Sequence, residues 1–183
     1  MNFITTKLQD CFIIEPKIIS DERGYFMESF NENAFANGIG QKVHFVQDNQ
    51  SFSTKGVLRG LHYQCGEYAQ AKLVRVLQGE VLDVAVDIRP ESETYGQHVS
   101  ILLSAENKKQ FFVPRGFAHG FLVLSDTATF FYKCDNFYNK ESEGGLMYND
   151  KKVNIDWNFP IDELIISEKD QVLPTLENAK KVW

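Results

Sequence analysis

The stretch Lys72-Leu73-Val74-Arg75-Val76-Leu77-Gln78-Gly79-Glu80-Val81-Leu82-Asp83-Val84-Ala85-Val86-Asp87-Ile88 decides the fold class. Leu82, Val84, Val86 and Ile88 alternate with Val81, Asp83, Ala85 and Asp87, the period of a half-buried β-strand. Lys72 to Leu77 forms a second strand, and Gln78-Gly79-Glu80 between them reads as a hairpin turn. Runs of the same style lie on either side: Phe45 to Asn49, Val57 to Gln64, Val99 to Leu103, Gln110 to Val113, Gly120 to Leu124 and Ala128 to Lys133. Turn material such as Arg89-Pro90-Glu91-Ser92 and Pro114-Arg115-Gly116 separates them. Many short strands punctuated by Gly and Pro predict an all-β sandwich or jelly roll. Helix is minor. Asn31 to Asn37 fits a short helix closed near Gly38, and Ser167-Glu168-Lys169-Asp170 fits a capping box opening a second, with Asp in place of Glu.

The 183 residues suit a single domain over 1–183, with no repeat, low-complexity tract or linker. Apolar residues make up 43% and aromatics 13%, which excludes disorder and a disulfide-stapled mini-protein. With 19 Lys+Arg against 25 Asp+Glu the net charge is -6, so nucleic acid is not an expected partner. A small anionic ligand needs only a local cation. The chain has five arginines, Arg23, Arg59, Arg75, Arg89 and Arg115, which makes each one a candidate. Cys11, Cys65 and Cys134 form no C-x-x-C pair and read as free thiols in a reducing compartment. The start lacks a signal peptide, and no stretch approaches the roughly 20 apolar residues of a membrane span. The expected location is the cytoplasm.

Four ionisable residues sit at apolar strand positions. Ideal alternation places His62 on a face with Leu58, Gly60 and Gln64, and His119 with Phe121 and Val123. It places Tyr132 with Phe130 and Cys134, and Lys72 with Val74 and Val76. Converging on one cavity, these residue types can remove a proton, return one and stabilise an enolate. Taken singly, each has an ordinary structural job. A strand His is a hydrogen-bonded core residue, an alternating Tyr is core, and Lys72 snorkels from an edge. Arg23 belongs to a solvated turn, and the Asp170 carboxylate caps a helix. Arg59 has the opposite parity to His62, so a regular strand aims them to different sides; a bulge at Gly60 would relieve this. No His-x-His occurs, and His44 and His98 lie in separate segments, so no metal site is expected.

The segments taken together say more than any one of them. Asp21-Glu22-Arg23-Gly24-Tyr25-Phe26-Met27-Glu28-Ser29, Phe45-Val46-Gln47-Asp48-Asn49, Val57 to Gln64, Ala71-Lys72-Leu73-Val74-Arg75 and Pro114 to Phe121 occur in that order. Tyr132-Lys133, Asn136-Phe137-Tyr138 and Ser142-Glu143-Gly144 follow. This set resembles the dTDP-4-dehydrorhamnose 3,5-epimerases over roughly residues 1 to 176. The resemblance implies a cupin-type jelly roll (double-stranded β-helix) acting on dTDP-4-keto-6-deoxyglucose without a cofactor or metal. It implies His62 as the general base paired with Asp170, Tyr132 as the general acid on the opposite sugar face, and Lys72 beside the C4 oxygen. It implies His119 at the sugar or phosphate, Arg59 on the diphosphate, Gln47, Asp48 and Asn49 as a binding segment, and Tyr138 stacked on thymine. Glu143 and Lys169 complete the matched set. Arg23, Phe26 and Glu28 imply a homodimer whose N-terminal residues enter the partner's site. Three other functions fit the same fold: epimerisation at C3 alone, a keto shift between C3 and C4, and non-catalytic binding of a sugar nucleotide. His62 together with Tyr132 argues against the keto shift and does not separate C3 from C3 and C5.

Overall fold

A computed structural model describes residues 1–183. The strands are β1 (Asn2–Thr5), β2 (Phe12–Glu15), β3 (Ile18–Asp21), β4 (Gly24–Met27), β5 (Gln47–Thr54), β6 (Val57–Gln64) and β7 (Lys72–Gln78). They continue as β8 (Glu80–Asp87), β9 (His98–Ser104), β10 (Gln110–Val113), β11 (Phe117–Val123), β12 (Thr127–Cys134), β13 (Glu143–Gly145) and β14 (Ile165–Ile166). Six of them form one antiparallel sheet in the order β1-β2-β10-β7-β12-β5. A second sheet runs β13-β6-β11-β8-β9, with β14 joining β6 in parallel. β3 and β4 make a separate hairpin. The two sheets enclose a core in which Val74, Val76, Phe111 and Phe130 of the first meet Val81, Ala85, Phe117 and Phe121 of the second. This is a cupin-type jelly roll.

The strand that decided the fold class is not half-buried. Glu80–Asp87 is covered on both sides: Val81, Asp83 and Ala85 face the inter-sheet core, while Val84 and Val86 lie under a second apolar layer. That layer is the C-terminal segment, whose Leu146, Val153, Trp157, Leu176 and Val182 are buried against the outer side of the second sheet. Burying such a side chain stabilises by about 1.5–3 kcal/mol, so the tail is an integral wall. The outer side of the first sheet is covered by α1 (Glu32–Ile39), whose Phe35 and Ile39 pack on Ile14, Leu73 and Phe112.

Several sequence boundaries move for identifiable reasons. The helix starts at the Asn31 cap as expected but runs through Gly38, because the Phe3 ring packs against that residue where a Cβ would stand. It closes instead at Gly40, in the left-handed region at φ 76°. The expected strand from Phe45 begins at Gln47, since the Phe45 ring joins Phe30 and Phe35 beside the helix. The segment expected to open a helix at Ser167 makes only a single 3₁₀ turn over Asp170–Val172.

Candidate active site

A cavity of about 550 Å³ opens between the sheets, lined by Arg59, His62, Lys72, His119, Tyr132, Lys169 and Asp170 among others. An adjoining hollow holds Gln47, Asn49, Tyr138 and Glu143 and shares His62, Lys72 and Tyr132 with it. His62 and His119 come from paired strands of the second sheet, whereas Lys72 and Tyr132 come from paired strands of the first. The base candidate and the acid candidate therefore stand on opposite walls.

The parity conflict between Arg59 and His62 is resolved by an inserted residue. Across the β6–β11 ladder His62 pairs with His119, and Arg59 pairs with Phe121, so three steps on β6 oppose two on β11. The shift is a β-bulge, which turns the strand by one residue and lets both side chains line the cavity. Leu58 points to the outer layer, so His62 shares its face with Arg59 rather than with Leu58, contrary to the alternation. Gly60 permits this at φ 127°, where a Cβ would stand 2.7 Å from the Gly120 Cα. The inward placements of Lys72, His119 and Tyr132 follow the simple alternation.

Asp170 reaches His62 from the C-terminal segment. One carboxylate oxygen lies 2.7 Å from His62 Nε2, and the other accepts the Gly60 amide at 3.1 Å. His62 Nδ1 is left without a protein partner. Burial pushes the Asp170 carboxyl up, but the His62 hydrogen bond and charge, together with the Gly60 amide, outweigh it and hold the group below the ordinary range. The capping role is only half present. Ser167 Oγ accepts the Asp170 amide at 3.2 Å, as a cap should, but the Asp170 carboxylate is spent on His62 and Gly60.

Lys72 is enclosed, with Nζ 3.5 Å from the His62 carbonyl oxygen. Desolvation lowers its pKa, and the fields of Cys134 and Asp83 partly restore it. Burial raises the Tyr132 phenol, so it is protonated and able to donate at neutral pH. His119 Nε2 lies 2.9 and 3.0 Å from the two oxygens of Asp83, which is completely buried. The sequence reading missed Asp83. Its signal was a carboxylate on the inward face of the best-patterned strand, where only a paired charge survives burial. Arg59 is held by Ser53, whose hydroxyl accepts from Nε at 3.0 Å.

Other expected residues lie at the rim or away from it. Gln47 Oε1 accepts the Tyr138 amide at 3.3 Å, and its Nε2 donates to Asn49 at 3.0 Å. Tyr138 is half-exposed, and Lys169 Nζ donates to Glu143 at 2.6 Å. Asp48 does not join the cavity; alternation turns it outward onto Lys133 Nζ at 2.9 Å. Nor do Arg23, Phe26 and Glu28. Arg23 pairs with Asp21, Phe26 is 67% exposed on the β3–β4 hairpin, and Glu28 accepts from Asn31 at 3.3 Å. No group of three or more His, Cys, Asp or Glu side chains is arranged to hold a metal ion. No helix is long and apolar enough to cross a membrane.

Comparison with known proteins agrees with this architecture along the whole chain. A dTDP-4-dehydrorhamnose 3,5-epimerase from Shigella flexneri is 58% identical over 170 residues, 93% of each chain. The crystal structure of the enzyme of that name from Elizabethkingia anophelis is 58% identical, with a TM-score of 0.95 over 100% of this chain and 99% of the other. A dTDP-6-deoxy-D-glucose-3,5-epimerase from Legionella pneumophila, solved with dTDP-4-keto-L-rhamnose, is 51% identical with a TM-score of 0.93, over 97% of this chain and 93% of that one. The family model described as dTDP-4-dehydrorhamnose 3,5-epimerase matches residues 5–178, and the chain belongs to that family.

Proposed function

We propose that this chain, as one catalytic domain, epimerises dTDP-4-keto-6-deoxy-D-glucose at C3 and C5 to dTDP-4-keto-L-rhamnose, a step in dTDP-L-rhamnose biosynthesis. The observation that carries the reading is the Asp170-supported His62 on one wall of a cavity whose other wall bears Tyr132. Inversion requires a proton to leave one face of a carbon and another to arrive on the opposite face. In this reading His62 takes the proton beside the C4 ketone, and Asp170 stabilises the imidazolium that results. Lys72 carries a buried positive charge to the C4 oxygen, where the enolate develops. The Tyr132 hydroxyl returns a proton from the far side. The phenolate then regains a proton from solvent, and His62 releases the one it took. Arg59, already aimed by Ser53, takes the diphosphate, for which a planar guanidinium is suited. Tyr138, Gln47 and Asn49 receive the nucleoside, and His119 is fixed near the sugar by Asp83.

The reading includes a homodimer in the cytoplasm. Support for the dimer comes from surface that is poorly suited to water. Ile19, Tyr25 and Phe26 are exposed on the β3–β4 hairpin, and Phe52 on the sheet edge. Near Tyr25, Arg75 keeps Nε and Nη1 buried without a partner, as a side chain awaiting an acceptor would. A partner docked there accounts for Arg23, Phe26 and Glu28 as residues for the neighbouring site.

Incubation with dTDP-4-keto-6-deoxyglucose in D₂O, followed by proton NMR, tests the activity. Deuterium at both C3 and C5 with inverted product is expected. Exchange at C3 alone would reduce the enzyme to a monoepimerase, and no exchange would remove the catalytic reading. Sedimentation equilibrium tests the dimer, for which a mass of about twice 21.0 kDa is expected.

A further inference from the structure

Behind the polar groups of the cavity lies a pair of aromatic rings that the proton chemistry does not use. Phe121 and Phe130 stack with centroids 4.1 Å apart at 16°, one from each sheet, and both line the cavity. Phe130 is placed among the chemical groups, 6.1 Å from the Tyr132 ring and 6.2 Å from the His119 ring, centroid to centroid. Val74, Val76, Ala85 and Ala128 belong to the same apolar cluster. Neither ring offers a hydrogen-bonding atom.

We infer that the Phe121–Phe130 pair is the specificity-determining contact for the C6 substituent, accepting the methyl of a 6-deoxy sugar and disfavouring 6-hydroxylated 4-keto sugar nucleotides. The inference rests on the function proposed above. If Tyr132 delivers a proton to C5, then C6, one bond away, lies within reach of the ring beside Tyr132. Inversion at C5 moves C6 relative to the sugar ring, so its receptor must tolerate displacement. With 5% of Phe121 and 1% of Phe130 open, the cavity meets the apolar rim of the pair. Such a rim tolerates displacement because dispersion contacts have no preferred direction, whereas a hydrogen bond made to one epimer would be broken in the other. A 6-hydroxyl would give up its water and gain no partner on either ring. An apolar pocket rejects an added hydroxyl by about 10²-fold at most, which sets the scale.

The test compares kcat/KM for dTDP-4-keto-6-deoxyglucose and its 6-hydroxy counterpart, dTDP-4-ketoglucose, with deuterium entry followed separately at C3 and C5. In the unmodified enzyme the 6-hydroxy compound should be poorer by roughly 10- to 100-fold. Phe121→Gln, which adds a hydrogen-bonding amide, should narrow that ratio at least fivefold. Phe121→Leu, the milder variant, should narrow it through loss on the 6-deoxy substrate. Rates within threefold for the two compounds in the unmodified enzyme would overturn the inference without any variant. A ratio unchanged in a folded Phe121→Leu enzyme would overturn it too. An unmodified enzyme inert toward the 6-deoxy compound would fail the proposed function itself and take this inference with it.

Discussion

The Asp170 carboxylate binds His62 Nε2 with one oxygen and the Gly60 amide with the other, at 2.7 and 3.1 Å. One buried group thus fixes the imidazole and the bulge that presents it.

Asp170→Asn should lower kcat by about 10²- to 10⁴-fold, because an amide cannot stabilise the imidazolium. It should also change acid stability in a defined direction. The folded-state pKa of Asp170 is depressed, so its contribution is fully present above the unfolded value near ~3.9 and is lost as pH falls through the lower folded value. The difference in Tm between the two proteins should therefore shrink as pH is lowered below about 4. A constant difference down to the lowest pH would detach Asp170 from that linkage.

Tyr132→Phe separates abstraction from return. Without the hydroxyl, His62 still removes its proton, so deuterium should enter from the base's own side while inverted product falls by about 10²- to 10⁴-fold. NMR of exchange and epimer ratio in one sample reads both. Equal loss of the two would give Tyr132 a part in forming the enolate.

Lys72 should set an alkaline limb. Burial lowers its pKa from 10.5, so its ammonium, and with it enolate stabilisation, is lost as pH rises through that lowered value. Lys72→Arg should be slower but should lack this limb, since guanidinium stays charged. Lys72→Met should cost about 10²- to 10³-fold in kcat while binding dTDP normally. A limb that persists in the Arg variant would belong to another group.

Gly60→Ala should damage both fold and site. Its φ of 127° strains any side chain, at about 1–3 kcal/mol, and the new Cβ meets backbone atoms of His119 and Gly120 at 2.9 and 2.7 Å. A lowered Tm with a raised KM is expected, because the bulge is what turns Arg59 and His62 to one side. A variant as stable and as active as the parent would show that the bulge tolerates a side chain.

Much of the molecule was legible because alternation is a direct record of which side faces the core. Lys72, His119 and Tyr132 were placed correctly by parity alone. Arg59 and His62 were not, because a bulge is a count of residues between partners, and the partner strand is not visible from one segment. The second apolar layer was missed for a related reason. Its residues, Leu146 to Val182, lack any regular period, since an irregular tail wraps over the sheet rather than pairing with it. Asp83 escaped notice because its job depends on His119 of the neighbouring strand, a partner that one strand's alternation does not show. Within the segment Gln47-Asp48-Asn49 the middle residue points away from its neighbours, onto Lys133, because one step along a strand reverses a side chain.

His62 and Asp170 are 108 positions apart. A growing polypeptide makes β6, its bulge and both sheets before Asp170 is joined, and the tail that delivers Asp170 is also the outer wall of the second sheet. Completion of the fold and arrival of the carboxylate are consequently one event in the life of the molecule. A nascent or prematurely terminated chain carries an imidazole without its support, so truncation or clipping ahead of Asp170 should cost at least as much activity as Asp170→Asn does.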